Sequence, residues 1–330
     1  MLKSGKGEVH VRVALVMRRS FEFDFPELWV GSAEYEEGPT GCTLLHFPAG
    51  AQAAVDMRGG AVAGRELAGL SPMDGWSEVD GILFTGGSTF GLDSASGVMH
   101  GLLERRHGST AFDDLPAIPT AAVYDFSGRE NSVYPDAELG LRAFENAKSG
   151  HAYVGQVGAG RNVTVGSYFG ESYAEKSGQG AAFVQVRGIK IFAFCVVNAC
   201  GHILNRDGQV IAGGRDPQTG KRFTAYERLY ASLSRQEASE RYERPAKNTV
   251  LSAVVTQVAL DRLELLRVAV MAHAALARLV DPFHSPEDGD VVFACSTQSA
   301  ACPGEVDVGD IGVLAGHALQ DALFEAIDVT

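Results

Sequence analysis

Apolar, β-branched runs recur along the chain, and between them the apolar positions change to helical spacing. Strands are predicted over Val11 to Met17, Thr43 to Phe47, Gly81 to Thr85, Ala121 to Tyr124, Ile189 to Asn198, Asn248 to Val258 and Asp290 to Cys295. Helical patterns cover Ser88 to Arg106, a stretch opened by Tyr134-Pro135-Asp136 and running through Lys148, and Leu314 to Ile327. The longest runs from Asp261, a fair N-cap, to Val280, where Asp281-Pro282 stops it. Ala225 to Tyr242 is polar and reads as a surface helix or an excursion. Asp207-Gly208 between two apolar runs, from Ile203 to Ile211, predicts a hairpin. Strands mixed with long helices give α/β or α+β, with packed sheets and helices outside them.

At 330 residues, 45% of them apolar, the chain has enough material for one large core or two ordinary ones. Glycine is abundant: 39 residues, against a usual share of about 7%. Because these glycines lie among apolar runs, they predict tight turns and close backbone approaches rather than disorder. The net charge of −13 comes without any Lys/Arg stripe, which argues against a nucleic-acid partner. No apolar run approaches the roughly 20 residues of a membrane span. The first residues lack an apolar signal core, so a cytoplasmic protein is expected. Five cysteines without a CxxC pair fit buried, reduced thiols. Cys295 has no partner histidine that the sequence suggests, and a catalytic thiol there is disfavoured.

Asn248-Thr249 is the most informative dipeptide, because a polar stretch runs there straight into a β-branched strand. Were the bond before Thr249 cut, one residue would hold a hydroxyl nucleophile and, in its free α-amine, the base to activate it. Taken alone, the pair reads first as a strand start after a turn. The polar segment before it, Gly214 to Lys247, would suit an exposed processing site or a plain connector. Asp288 and Asp290 are spaced to share one side of an extended strand, where they could tune an amine or bind a cation. Against that stands a simple Asp-Gly turn into a strand. His284 adds one possible ligand, but neither HExxH nor EF-hand spacing is present, and no metal is expected. Thr85-Gly86-Gly87-Ser88 and Gly158-Ala159-Gly160 match no nucleotide-binding spacing and read as close packing or tight turns. Asn198, at a strand end, could donate to an oxyanion or form a turn. Tyr124 reads as a core aromatic with a polar handle, and His273 as a satisfied core or interface residue.

Several segments taken together resemble the nylon-oligomer hydrolases of the DmpA-type aminopeptidase and β-aminopeptidase family. They are Phe23-Asp24-Phe25-Pro26, Tyr35 to Gly41, Pro48 to Ala51, Val55 to Ala61, Tyr124 to Ser127, Val133 to Asp136, Gly178 to Phe183, Asn248-Thr249, and Pro282-Phe283-His284 with Asp288-Gly289-Asp290. The resemblance implies a four-layer αββα sandwich of DmpA type in a single self-processing domain over residues 1–330. It implies a cut between Asn248 and Thr249, giving an α-chain of residues 1–248 and a β-chain of residues 249–330 that stay together. It also implies Thr249 as nucleophile, Asn198 as oxyanion donor, Asp288 and Asp290 as partners of the Thr249 amine and hydroxyl, and Tyr124 at the substrate. No cofactor is implied. A homotetramer of processed pairs is implied, acting on amides of 6-aminohexanoate oligomers or related ω- or β-amino acids. Aminopeptidase action on short peptides, acyl transfer of the ornithine-acetyltransferase type, and an uncut small-molecule binding protein are the alternatives. Nylon-type members carry a lysine soon after the Gly-Ala-Gly run. Here that place holds Ser167, so either Lys176 serves instead or the cationic contact is missing.

Overall fold

The computed structural model describes residues 19–71, 78–234 and 248–327. The expected strand Val11 to Met17 lies outside them, as does the part of the Ala225 to Tyr242 helix beyond Ser234. Eight strands and four helices carry the architecture. The strands are β1 (Trp29–Tyr35), β2 (Thr40–Met57), β3 (Glu78–Thr85), β4 (Thr120–Ala122), β5 (Gln179–Val186), β6 (Ile189–Asn198), β7 (Thr249–Val258) and β8 (Val291–Ala300). The helices are α1 (Ser94–Arg105), α2 (Ala137–Glu145), α3 (Arg262–Leu276) and α4 (Val308–Ile327).

One layer runs β5-β6-β7-β8 and then the C-terminal half of β2. Its pairings are antiparallel except β7 with β8, which is parallel. The other layer holds β1, the N-terminal half of β2, β3 and β4. The long strand β2 belongs to both. Its register with β3 breaks between His46 and Ala51, at Pro48-Ala49-Gly50, and Gly50 has φ +79. A proline and a left-handed glycine suit such an irregularity. The two layers are therefore halves of one ladder folded over at that break.

Period-two alternation decides what each strand faces. On β6, Phe192, Phe194 and Val196 point between the layers, while Ile191, Ala193, Cys195 and Val197 point outward to α3 and α4. β7 repeats the pattern, with Leu251, Ala253 and Val255 inside. Phe84 from the opposite layer stacks on Phe194 with ring centroids 5.8 Å apart, and it lies 5.9 Å from Phe293. A third cluster packs α1 and α2 on the outer face of β1, β2 and β3 through Leu44, Leu83, Val98, Leu139 and Phe144. The order is helices, sheet, sheet, helices, which is the αββα sandwich.

Departures from the expected elements have local causes. The Ser88 to Arg106 pattern breaks into a turn over Ser88–Gly91 and then α1. Side chains claim the Gly91 carbonyl there, Ser94 Oγ at 2.6 Å and Thr85 Oγ1 at 3.2 Å. Residues at Lys148 and Val280 leave the helices and enter short strands. α4 begins earlier than its apolar pattern, at Val308. The backbone N–H of Asp310 donates to Asp307 Oδ1 and that of Asp307 to Asp310 Oδ2, a reciprocal start, while Gly309 and Gly312 dilute the sequence signal. β1 and β5 escaped sequence reading because glycines and polar residues interrupt their apolar patterns. The expected α3 cap is present: Asp261 accepts from Glu264 N–H and Glu264 answers back. No helix among the described residues is long and apolar enough to cross a membrane. The five cysteines are unpaired, and burial pushes the thiols of Cys42, Cys195, Cys200 and Cys295 up, which makes them poor nucleophiles.

The inter-layer aromatic stack makes a direct prediction. Phe194→Ala empties a site walled by Phe84 and should cost about 3–5 kcal/mol in urea unfolding. A loss under 1 kcal/mol would mean that the layers do not close on this ring.

Candidate active site

Two pairings assemble the site. β6 and β7 are antiparallel, with Asn198 directly opposite Thr249. By alternation both side chains fall on the face between the layers, Asn198 with Phe194 and Val196, Thr249 with Leu251. β7 and β8 are parallel, with Leu251 beside Val291, so the residues preceding both strands meet at one end of the sheet. The Val250 N–H donates to Asp290 Oδ1 at 2.8 Å. Thr249 Oγ1 donates to the Asn248 carbonyl at 2.6 Å, and the Gly289 N–H donates to the same oxygen at 2.9 Å. A Cβ on Gly289 would fall 2.7 Å from Thr249 Oγ1, so this approach requires glycine. Asn248 and Thr249 are 3% and 5% exposed. The junction itself is therefore buried. Residues 235–247 lie outside the described ones.

The acidic loop is held by its backbone. After β2, the N–H groups of Arg58 and Gly59 donate to the Asp290 carbonyl, and that of Ala61 donates to the Asp288 carbonyl at 2.7 Å. Gly59 and Gly60 let these chains approach: a Cβ at Gly59 would sit 2.2 Å from Asp290 N. The turn closes before Asp288-Gly289. The Asp288 N–H donates to the Ser285 carbonyl, and Asp288 Oδ2 accepts the Ser285 N–H at 3.0 Å. Asp288 is fully buried and its Oδ1 has no hydrogen-bond partner. Burial, followed by the charge of Asp290, raises its carboxyl to about 7. Asp290 is also buried, and its Oδ2 accepts from His284 Nδ1 at 2.9 Å and from the His284 N–H at 3.2 Å. Among the described residues no group of three or more His, Cys, Asp or Glu is arranged to hold a metal.

Asn198 is fixed on both sides of its carboxamide. Oδ1 accepts the Thr164 N–H at 3.0 Å, and Nδ2 donates to the Tyr124 carbonyl at 2.9 Å. One Nδ2 hydrogen is left for another acceptor. Tyr124 therefore meets the site through its main chain, while its half-buried ring lies edge-on to Phe126. Ser167 Oγ accepts from Asn248 Nδ2 at 2.7 Å, so the serine in the lysine's place touches the junction. Lys176 pairs in register with Thr164, and its Nζ donates to Asn162 Oδ1 at 2.7 Å. Burial and then Arg161 lower its ammonium pKa. Gly289 and Thr164 act here through backbone N–H groups that no sequence pattern isolates, whereas the sequence singles out Ser167 and His284 for other roles, an absent lysine and a possible metal ligand.

Both glycine turns point their N–H groups at internal side chains. Gly87 N–H donates to Asp125 Oδ1 at 2.9 Å. Gly158, Ala159 and Gly160 donate to Glu34, Thr43 and Gln179. These turns pack the fold together. Asp125 also pairs with Arg129 at 2.8 Å, and desolvation raises its carboxyl. His273 is buried, with Nδ1 on Asp56 Oδ2 at 2.9 Å and Nε2 without a partner.

An αββα sandwich whose inner strand starts on a threonine, beside two buried carboxylates, has the architecture of the N-terminal-nucleophile hydrolases. A structure described as L-aminopeptidase D-Ala-esterase/amidase of Ochrobactrum anthropi, a variant of that fold, superposes with a TM-score of 0.65 at 17% identity. The match covers 91% of this chain and 83% of that one. The profile of peptidase family S58 matches residues 23–330, and the chain belongs to that family. It is 38% identical to a 6-aminohexanoate-oligomer endohydrolase of Kocuria sp. (strain KY2), over 94% of this chain and 86% of that protein. It is 34% identical to an uncharacterized aminopeptidase of Mycobacterium bovis, over 81% and 76%. The chain is an amide hydrolase of this family.

Asp288 gives stability a definite pH dependence. An unfolded aspartate ionises near pH ~3.9, whereas here the folded carboxyl holds its proton to about 7. Its contribution to stability is therefore full below pH ~4 and lost as the pH rises through about 7. Asp288→Asn should remove that loss, on the order of 2–4 kcal/mol between pH 4 and 8. Urea melts across that range of the chain kept uncut by Thr249→Ala, with and without Asp288→Asn, test it, and equal slopes would refute it.

Proposed function

We propose that the chain cuts itself between Asn248 and Thr249 and that the freed Thr249 hydrolyses amides of 6-aminohexanoate oligomers or related ω- and β-amino-acid amides. The observation that carries this reading is the Thr249 hydroxyl lying 2.6 Å from the carbonyl oxygen of its own preceding peptide, with the Gly289 N–H on that same oxygen. In maturation, Thr249 Oγ1 bonds to the Asn248 carbonyl carbon while Gly289 N–H supports the developing oxyanion. The C–N bond breaks, the hydroxyl proton passes to the departing nitrogen, and an ester remains. Water hydrolyses it, leaving the Asn248 carboxylate and a free Thr249 amine. The junction's burial favours an intramolecular cut over an external protease.

In turnover the Thr249 amine accepts the hydroxyl proton and Oγ1 attacks the substrate amide. The departing amine takes that proton, and water releases the acyl group. The free Nδ2 hydrogen of Asn198, directly across the strand pair, suits the substrate oxyanion. Asp288 and Asp290 are assigned to hold the new ammonium, a role supported by the Val250 N–H on Asp290 Oδ1 at the strand start. Tyr124 is assigned to the substrate, supported by its carbonyl holding Asn198 Nδ2. Substrate class follows the 38% identity to a 6-aminohexanoate-oligomer endohydrolase. Aminopeptidase action is the second reading, favoured by the Mycobacterium bovis relative. Products from a long linear oligomer separate the two: internal fragments mark endo cleavage, and single residues lost from the amino end mark exo.

Wild-type protein should resolve on denaturing gels and by intact mass into pieces of 248 and 82 residues. Thr249→Ala should stay a single inactive chain of 330. Asn198 makes no hydrogen bond to the Asn248 carbonyl, so Asn198→Ala should still split yet lose about 10²–10³-fold in kcat. A wild-type chain that turns over substrate while never splitting defeats the reading.

A further inference from the structure

We propose that His284 is the positioning residue for Asp290, buttressed from behind by His273 and Asp56. This role rests on the Thr249 reading. Asp290 reaches the start of β7 through Oδ1, on the Val250 N–H at 2.8 Å. Its Oδ2 is gripped twice by His284, by Nδ1 at 2.9 Å and by the backbone N–H at 3.2 Å. Two donors from one residue fix the carboxylate plane, and with it the oxygen facing Val250.

His284 is itself held in an uncommon state. Its backbone has φ +60, the left-handed region that non-glycine residues occupy at a cost. Its ring stacks on Phe283, with centroids 3.8 Å apart, and meets His273 edge-on at 4.4 Å and 87°. His273, from α3, gives Nδ1 to Asp56 Oδ2 at 2.9 Å, and Asp56 is held by Arg58 Nε, also at 2.9 Å. A line of contacts therefore runs from Arg58 through Asp56, His273 and His284 to Asp290 and the strand start. The His284 side chain is 25% exposed, against 1% for Asp290, so it stands between solvent and a buried acid. The ionisable groups around it are Asp290 on its own loop, His273 on α3, and Asp56 with Arg58 behind His273, at and just after the end of β2.

Three variants of the full chain test this: His284→Ala, His284→Gln and His284→Asn. Asparagine puts an N–H close to where Nδ1 stood and tolerates positive φ, whereas the glutamine amide falls one bond further out. With a linear 6-aminohexanoate oligomer as substrate, H284A and H284Q should lose about 10–100-fold in kcat with KM nearly unchanged, the usual scale for a lost orienting partner. H284N should keep its kcat within about threefold. If H284A fails to fold, the Asn and Gln pair decides. Three variants indistinguishable from wild type, or an Asn variant as damaged as Ala, overturn the role of His284. A wild-type chain that stays uncut on intact mass instead overturns the nucleophile reading beneath it.

Discussion

Everything at the site depends on the parallel pairing of β7 with β8. An antiparallel pair would set the start of one strand against the end of the other. Here Leu251 lies beside Val291, so both chains enter the sheet at the same edge. Asn248-Thr249 and Asp288-Gly289-Asp290, 40 residues apart in sequence, then become neighbours and exchange backbone bonds. The antiparallel neighbour β6 ends at that edge, which delivers Asn198 opposite Thr249. One direction of one strand pair thus gathers a hydroxyl, two carboxyls and a carboxamide.

That gathering carries an electrostatic cost. Two carboxyls within one buried loop cannot both ionise freely. The fold treats them differently. Asp290 receives N–H groups from Val250 and His284 on its two oxygens. Asp288 receives the Ser285 N–H on one oxygen and nothing on the other. Burial and the neighbouring charge make Asp288 keep its proton until near neutrality. An open oxygen on a buried acid is expensive to retain in a finished core. It makes physical sense where a cation arrives later, and the α-ammonium that the proposed cut would free at Thr249 is such a cation.

Strands buried on both faces were legible in the sequence: the predicted ends of β6 match, and β7 starts one residue later than expected. Their apolar runs need no context. The Asp261 cap and the Asp-Gly hairpin were legible too, because each is local chemistry. What the sequence hid is non-local. The fold-over of β2 at Pro48-Ala49-Gly50 has meaning only against β8. The Gly289 donor, the Thr164 grip on Asn198 and the Arg58 to Ala61 cradle are backbone groups, which no side-chain pattern records. Thr249, Asn198, Asp288 and Asp290 were singled out individually. That they lie together follows from strand direction, which composition does not carry.

Three of the glycines serve the same place. Gly59, Gly60 and Gly289 lie where the end of β2, the acidic loop and the start of β7 press backbone on backbone. A methyl at Gly289 would occupy the space of the Thr249 hydroxyl, and one at Gly59 would strike the Asp290 amide. Side chains large enough to shape this corner would keep the three chains apart. Backbone N–H groups do the holding instead, and they do it from rigid strand ends, where positions are set by the ladder rather than by rotamers. The hydroxyl is thereby confined against the carbonyl it meets, among fixed backbone dipoles. Confinement of that kind is what the proposed intramolecular acyl shift requires, and the ladder, rather than the peptide before Thr249, sets that residue's place.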